Sequence, residues 1–255
     1  MTGSAMQRSI HLEPLDEQIV LSMTDELLQL SSDFHLALEF DVARLCVEHL
    51  LYVQQINSFM NLTRITDMHE ALVLHILDSL SLAQRLSITP NRFLDMGTGA
   101  GFPGIPFHVM TGSSGVLLDS VGKKIDAVNT CIQQLALSDV TGIHARLETF
   151  AIEGAHSFDT VLARAVGQLP LLIEYGTPFL TMNGNLVLAK ANPSAEERSS
   201  GLNAAKICGL ELSSVCEFDL PENLGHRSVF YFHKVSEPHV NLPRAVGLAK
   251  RNPLG

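Results

Sequence analysis

The sequence predicts an α/β protein built on a mostly parallel sheet, and three observations carry that reading. From Arg92 onward, short apolar runs alternate with helix-length amphipathic stretches, the pattern of parallel strands covered by crossover helices. The stretch Arg92–Pro106, RFLDMGTGAGFPGIP, passes from a short apolar run to an acid, Asp95, then to glycines at alternate positions and a helix start. This is a strand, a tight turn and a helix, in which glycine permits positive φ and close approach of a ligand to the main chain. Finally, the strand expected at Ser228–Lys234 follows its predecessor through only the loop Pro221–Arg227. A link that short favours an antiparallel final pair.

Composition bounds the rest. The chain has 255 residues, 46% of them hydrophobic, enough for one large core or a core with a small addition. There is no run of roughly 18 uninterrupted apolar residues, so no membrane span is expected. Near the N-terminus Arg8 is followed by Glu13, Pro14, Asp16 and Glu17, unlike a secretory signal. Cys46, Cys131, Cys208 and Cys216 lack C-x-x-C spacing, which favours buried thiols in a reducing cytoplasm over disulfides or a metal site. The net charge of −10 argues at first against a nucleic-acid partner. It is uneven, however: residues 1–60 hold nine acids and two bases, Arg8 and Arg44, whereas residues 234–255 hold four bases and one acid.

In chain order, residues 1–40 read as a poorly ordered or weakly helical lead, and residues 41–91 as a small N-terminal helical layer. From Asp41, Val42, Leu45, Cys46, Leu50, Val53 and Ile56 fall on one helix face. Asn57–Thr66 interrupts, and a second helix, about Met68 to Leu86, turns Leu72, Ile76, Leu80 and Ala83 inward before the Pro90-Asn91 turn. Residues 92–236 form the main domain. Its strands are expected at Arg92–Met96, Gly115–Asp119, Thr141–Ala145, Thr160–Ala163, Asn185–Ala189, Glu211–Glu217 and Ser228–Lys234. Its helices are expected near 103–110, 123–136, 167–180 and 195–208. Residues 237–255 form a basic tail.

Two cofactors compete for the glycine turn. Gly99, Gly101 and Gly104 satisfy G-x-G-x-x-G, with Asp119 twenty residues on, as a dinucleotide site expects. The alternative is S-adenosylmethionine, held by Asp95 at the end of the first strand, then Gly97, Gly99 and Gly101, then Asp119 at the end of the second. A carboxylate at Asp95 would repel a pyrophosphate but suits the amino-acid end of a sulfonium cofactor. Asp119 can accept both ribose hydroxyls, or cap the helix that begins near Lys123. After the third strand, Leu147 can pack on an adenine, while Arg146 and Glu148 can equally form a surface ion pair. Arg164-Ala165 ends the fourth strand at the same carboxyl edge, where ligands of open α/β sheets gather. Arg164 can hold a methionine carboxylate or an RNA phosphate, or simply pair with Asp95. His75, Asp78 and Ser79 suggest a triad but read better as helix-face residues that fix the N-terminal layer.

These segments resemble the bacterial small-subunit ribosomal RNA guanine-N7 methyltransferases, the glucose-inhibited division protein B family. The likeness lies in NLTRIT and HILDSL (Asn61–Thr66, His75–Leu80), LDMGTGAGFPGIP (Leu94–Pro106), LLDSVGKK (Leu117–Lys124), LARAVGQL (Leu162–Leu169) and the ending LPRAVGLAKRNPLG (Leu242–Gly255). Family members often carry a Trp near Tyr52–Asn57, which this chain lacks. The resemblance implies a Rossmann-like class I methyltransferase with a seven-stranded sheet. It implies S-adenosylmethionine contacts from Gly97, Phe102, Leu147, Glu148 and Arg164, and a substrate guanine at position 527 of 16S ribosomal RNA, in the small subunit or an assembly intermediate.

Guanine N7 carries an in-plane lone pair and no proton. Its attack on a sulfonium methyl needs alignment, with reacting atoms about 3–3.5 Å apart, and no general base, so no catalytic acid or base is nominated. Phe102 can border the target base or belong to the core. RNA phosphates are expected to meet Lys123, Lys124, Lys190, Arg244, Lys250 and Arg251. An NAD-dependent oxidoreductase is the competing enzyme class, though no Tyr-x-x-x-Lys or His-Asp relay accompanies the glycines. A non-catalytic module of the same fold is disfavoured by the intact Gly97, Gly99, Gly101, Asp119 and Arg164. Calorimetry separates the two cofactors: S-adenosylmethionine should bind and NAD should not, and NAD binding in its place would overturn the reading.

Overall fold

The computed structural model describes residues 10–84, 86, 89–164 and 166–255. Arg8, the rest of the first nine residues of the expected lead, and Ala165 lie outside the described residues. Seven strands form one sheet: β1 (Arg92–Met96), β2 (Ser114–Asp119), β3 (Val140–His144), β4 (Phe158–Arg164), β5 (Leu180–Lys190), β6 (Leu210–Asp219) and β7 (His226–Lys234). Their order is β3-β2-β1-β4-β5-β7-β6. The pairs from β3 to β5 are parallel, and β7 runs antiparallel to both β5 and β6, as the short final link requires. From β1 the chain winds outward to β2 and β3, then returns to β4 on β1's other side. The carboxyl ends of β1 and β4 therefore flank the switch point where such sheets bind ligands.

Both faces of the sheet's central strands are buried, whereas the edge strand β6 is largely exposed. Alternate residues of one strand serve opposite cores: Phe93 of β1 and Val187 of β5 join one apolar cluster, Leu94, Met96, Leu186 and Leu188 the other. The first cluster is roofed by α1 (Glu17–Asp33), α2 (Phe40–Met60), a helix running through α3 (Met68–Ala71) and α4 (Asp78–Gln84), and by α5 (Gly104–Thr111) and α6 (Gly122–Gln134). The second is covered by α7 (Leu147–Gly154), α8 (Leu169–Gly176) and α9 (Ala195–Ile207). A short α10 (Leu248–Arg251) ends the chain.

Several elements differ from the sequence reading, among them α7 and α10, for which no helix was expected. The lead, expected to be poorly ordered or weakly helical, contains the 17-residue α1. Asp16 caps it by accepting from Gln18 and Ile19 N–H at 2.8 and 3.4 Å. Val20, Met23, Leu27 and Leu30 recur at helical spacing and are buried, and Arg44 of α2 binds Glu17 at 2.8 Å. The helix expected at 167–180 stops at Gly176, and a 3₁₀ turn, Thr177–Phe179, leads to β5. Pro178 has no N–H to continue the helical ladder. Between α3 and α4 the backbone opens into a π-helical turn, Leu72–Leu77, a feature often found at functional sites. On α2, Ala43, Cys46, Val47, Leu50, Val53 and Ile56 are buried whereas Val42 and Leu45 are only partly so, because α1 packs along that helix.

Leu27 is completely buried in the cluster α1 shares with α2. Leu27→Ala should lower the free energy of unfolding by about 2–5 kcal/mol, measured by urea denaturation. A loss under about 0.5 kcal/mol would mean that α1 does not fold as part of the core.

Candidate active site

The glycine turn is stitched to the end of β2. Gly97 and Thr98 N–H both donate to Leu118 O, at 2.8 and 3.0 Å, and Gly97, Gly99 and Gly101 have φ of +75°, +63° and +94°, where side chains are strained. A Cβ on Gly101 would lie 2.9 Å from Ile105 Cδ1, whereas one on Gly99 would meet nothing within 4 Å. Gly99 therefore leaves its main chain open to an incoming group. Gly104 serves packing instead: a Cβ there would lie 2.1 Å from Leu117 Cδ2, so only glycine lets α5 settle on β2.

Asp119 is held at the turn. Its Oδ2 accepts from Gly99 N–H at 3.1 Å and its Oδ1 from Val121 N–H at 2.9 Å, with Lys124 Nζ at 3.8 Å. The capping alternative holds in part, since the carboxylate orders the entry to α6, and each oxygen retains acceptor capacity. Asp119 lies in a cleft of about 570 Å³ whose walls include Gly97, Leu118, Lys124, Arg146, Leu147, Glu148, Val166, Leu171, Tyr175, Gly247 and Lys250. Glu148 accepts from Tyr175 Oη at 3.1 Å and from Gly247 N–H at 2.9 Å, so its bonds go to α8 and the tail and not to an ion pair with Arg146. Burial opposes ionisation of Glu148, but the Gly247 and Glu148 N–H groups, the Tyr175 hydroxyl and Arg146 outweigh it and hold its carboxyl below the usual range. Burial and the Glu148 carboxylate push Tyr175 up to about 12.

Asp95 sits beneath the glycine turn. It is completely buried, away from that cleft, and its Oδ2 accepts from Gly104 N–H at 2.9 Å. The carboxylate thus secures the start of α5 under the glycine turn. Burial pushes its pKa up to about 6, against the Thr98 hydroxyl, the Gly104 N–H and the Arg164 charge. Phe102 packs against two histidines. It is stacked on His75 at 4.7 Å with its other neighbour, His49, at 4.4 Å, and it is 6% exposed. Burial lowers the pKa of His49 to about 3, and burial with Arg164 lowers that of His75 to about 4, so both rings are neutral at pH 7.

A second cleft, about 650 Å³, lies across Val166 from the first, between the π-turn and the ends of β4 and β5. Arg164 lines this one. It does not pair with Asp95: its Nη1 donates to Leu74 O at 2.9 Å and to Asp78 Oδ2 at 3.0 Å. Asp78 also receives Arg227 Nε at 3.0 Å, so of the would-be triad Asp78 is an arginine tether. Ser79 Oγ turns back to His75 O, and His75 Nε2 lies 2.8 Å from Thr63 Oγ1. These residues fix the helical layer against the site.

The expected RNA-facing bases divide. Lys123, Lys250 and Arg251 are exposed, and Lys124 and Lys250 border the first cleft. Lys190 lines the second but binds Gly167 O and Glu197, at 2.5 and 2.8 Å. Arg244 is spoken for: its Nε donates to the buried Glu174 at 2.6 Å and its Nη2 to Asn252 O at 2.7 Å, so it anchors the tail and is not free to neutralise a phosphate. Val166, Tyr175, Gly247 and Arg227 were missed by sequence reasoning. Only Arg227 carried a visible signal, a base at the start of a strand ending the same sheet edge.

Comparison with known proteins bears on the same region. A family model described as rRNA small subunit methyltransferase G matches residues 43–224. Ribosomal RNA small subunit methyltransferase G of Desulfitobacterium hafniense is 36% identical over 201 residues, 78% of this chain and 83% of the relative. The protein of that name from Carboxydothermus hydrogenoformans is 33% identical over 226 residues, 88% and 96%. The crystal structure of M. jannaschii TYW2 in complex with AdoMet superposes with a TM-score of 0.51 at 18% identity, covering 63% of this chain and 76% of that one, a likeness of fold.

Asp95 keeps its proton to a higher pH when folded than its usual value of 3.8. Its contribution to stability is therefore fullest below about pH 4 and fades as pH rises through about 6. Urea unfolding of wild type and Asp95→Asn should show the variant gaining relative stability over that window. A difference independent of pH would remove Asp95 as the group responsible.

Proposed function

The chain belongs to the rRNA small subunit methyltransferase G family, and we propose that it methylates N7 of a single guanine in 16S ribosomal RNA, within the small subunit or an assembly intermediate. One observation carries the proposal: two clefts meet across Val166 at the switch point of the sheet, one for the methyl donor and one for the target base.

The residues of the first cleft fit S-adenosylmethionine. Asp119 offers carboxylate oxygens suited to a ribose diol. Leu118, Leu147, Val166 and Leu171 supply apolar wall for an adenine, and the volume lies in the range of small-molecule sites. Gly97 and Gly99 keep the turn bare of side chains. Asp95 acts from beneath, by fixing the turn and α5, and Phe102 buttresses the same turn from the core. When bound, the cofactor supplies an electrophilic methyl group. The chain's own part is to align guanine N7 with it and to exclude water, which is the whole task for a nucleophile that carries no proton. An NAD-dependent oxidoreductase finds no support in the family.

Lys123, Lys124, Lys250 and Arg251 are the bases we assign to RNA phosphates around the mouth of the first cleft. Lys190, neutralised by Glu197, shapes the second. Arg244 has the structural task described above.

Labelled methyl transfer to small subunits and to free 16S RNA, with the product mapped by aniline cleavage, tests the proposal. One N7-methylguanine is expected, formed faster on subunits. Methylation insensitive to aniline would exclude N7, and equal rates would exclude the assembled particle as the preferred substrate.

A further inference from the structure

Among the described residues two phenylalanine rings are exposed, Phe40 at 41% and Phe59 at 58%. They stand at opposite ends of α2, about 28 Å apart along its axis. Phe59 is at the end that meets the site. The carbonyl oxygen of the next residue, Met60, accepts from Lys123 Nζ at 3.5 Å, and Lys124 borders the first cleft. Further along the same loop, Ile65 lines the second cleft, and Thr63 Oγ1 meets His75 of that wall at 2.8 Å. Phe59 lines neither cleft. The six residues from Phe59 to Ile65 span at most about 22 Å, so the ring stands outside both clefts and close to their mouths.

The mounting of the ring is fixed. Asn61 ends α2 in the left-handed region, with φ of +50°, and the loop is bound back to the helix. Asn57 Oδ1 accepts from Leu62 and Thr63 N–H at 2.6 and 2.9 Å, and Gln54 Nε2 donates to Ile65 O at 3.0 Å. A surface tied in this way is preformed for its ligand. Its charge has one sign. From Ser58 to Thr66 the only charged residue is Arg64, whereas residues 1–60 as a whole hold nine acids and two bases. Arg64 and Lys123 are both exposed, and neither forms an ion pair among the described residues. Asp67, just beyond, caps α3 by accepting from Glu70 N–H at 2.9 Å. An open aromatic face with unpaired cations on either side of it in the chain contacts matches single-stranded nucleic acid, whose bases stack and whose phosphates seek Lys and Arg. A duplex hides its base faces.

We propose that Phe59 is a stacking platform for an unpaired base of the substrate RNA beside the target guanosine, with Lys123 and Arg64 taking the adjoining phosphates. The identity of the ligand rests on the methyltransferase reading. A base that is to react inside a cleft must first leave its stack. A neighbouring base held on Phe59 replaces part of the stacking lost and fixes the strand at the mouth of the site. Every base has a π-face, so such a platform is tolerant of sequence. Phe59 therefore supplies affinity and register, and the choice of base is left to the clefts.

The chain contains no tryptophan, so Phe59→Trp installs a single indole whose emission a stacked base quenches. The full chain, saturated with S-adenosylhomocysteine, is titrated at low salt with a short single-stranded RNA oligomer of mixed sequence and with the corresponding duplex, and binding is followed in parallel by anisotropy of a labelled strand. The single strand should quench Phe59→Trp saturably and leave the emission of Phe40→Trp unchanged, and the duplex should quench neither. Phe59→Ala and Phe59→Leu should weaken single-strand binding roughly tenfold, Phe59→Tyr should keep it, and none should alter the affinity for S-adenosylhomocysteine. A single strand that fails to bind, that binds without quenching Phe59→Trp, or that binds Phe59→Leu as tightly as wild type overturns the platform. So does a Phe59→Ala chain that binds the oligomer normally but small subunits weakly, which would assign the ring to a protein of the subunit. Methyl transfer to small subunits is scored separately: an inactive wild type would strike the methyltransferase reading, whereas stacking is read without any turnover.

Discussion

A single buried carboxylate ties the helical layer to the sheet. Asp78 stands where the π-turn returns to α-helical winding, and it receives arginines from the ends of two strands that are neighbours but one in the sheet. Removing it would leave two largely buried guanidinium groups facing each other without their shared carboxylate, a costlier state than either residue alone. The same contact decides which cleft Arg164 serves. Tethered to Asp78 and Leu74 O, it faces the chamber roofed by the helical layer, and its charge reaches Asp95 and His75 only through space.

The glycine turn depends on a different economy, that of side chains left out. Each of its main features follows from missing atoms: open main chain at Gly99, left-handed φ at three positions, and intimate contact of α5 with β2 at Gly104. Asp119 and Asp95 then divide two tasks between them. Asp119 faces the cleft and orders the turn from the side, and Asp95 is sealed beneath and orders it from below.

Sequence was sufficient for the sheet because the relevant signals are local. Alternating apolar runs place all seven strands, and the short link before Ser228 gives the antiparallel end. The glycine spacing and Asp119 were legible for the same reason: a turn and its acid lie within one βαβ unit. What escaped was set by tertiary partners. Asp95 reads as a ligand until its burial against Gly104 is seen, and Arg244 reads as a free cation until Glu174 of α8, 70 residues distant, is brought to it. Gly247 enters the cleft wall through its backbone N–H, which no residue type announces. The helix at Glu17–Asp33 is a different case: Val20, Met23, Leu27 and Leu30 did carry helical spacing, but the dense acids around them obscured it.

The wall of the first cleft is assembled from stretches as far apart as Gly97 and Lys250, with the tail docked through Glu148 and Glu174. No local piece of the chain contains it, so an unfolded chain offers the methyl donor nothing to hold. Ligand concentration thereby becomes a variable of folding as well as of turnover: at a hundred times the dissociation constant, occupancy adds about 2.7 kcal/mol to the stability of the native state. A cell depleted of its methyl donor would hold this protein not only idle but also less resistant to unfolding and proteolysis, so that supply of the small molecule and lifetime of the enzyme are thermodynamically linked.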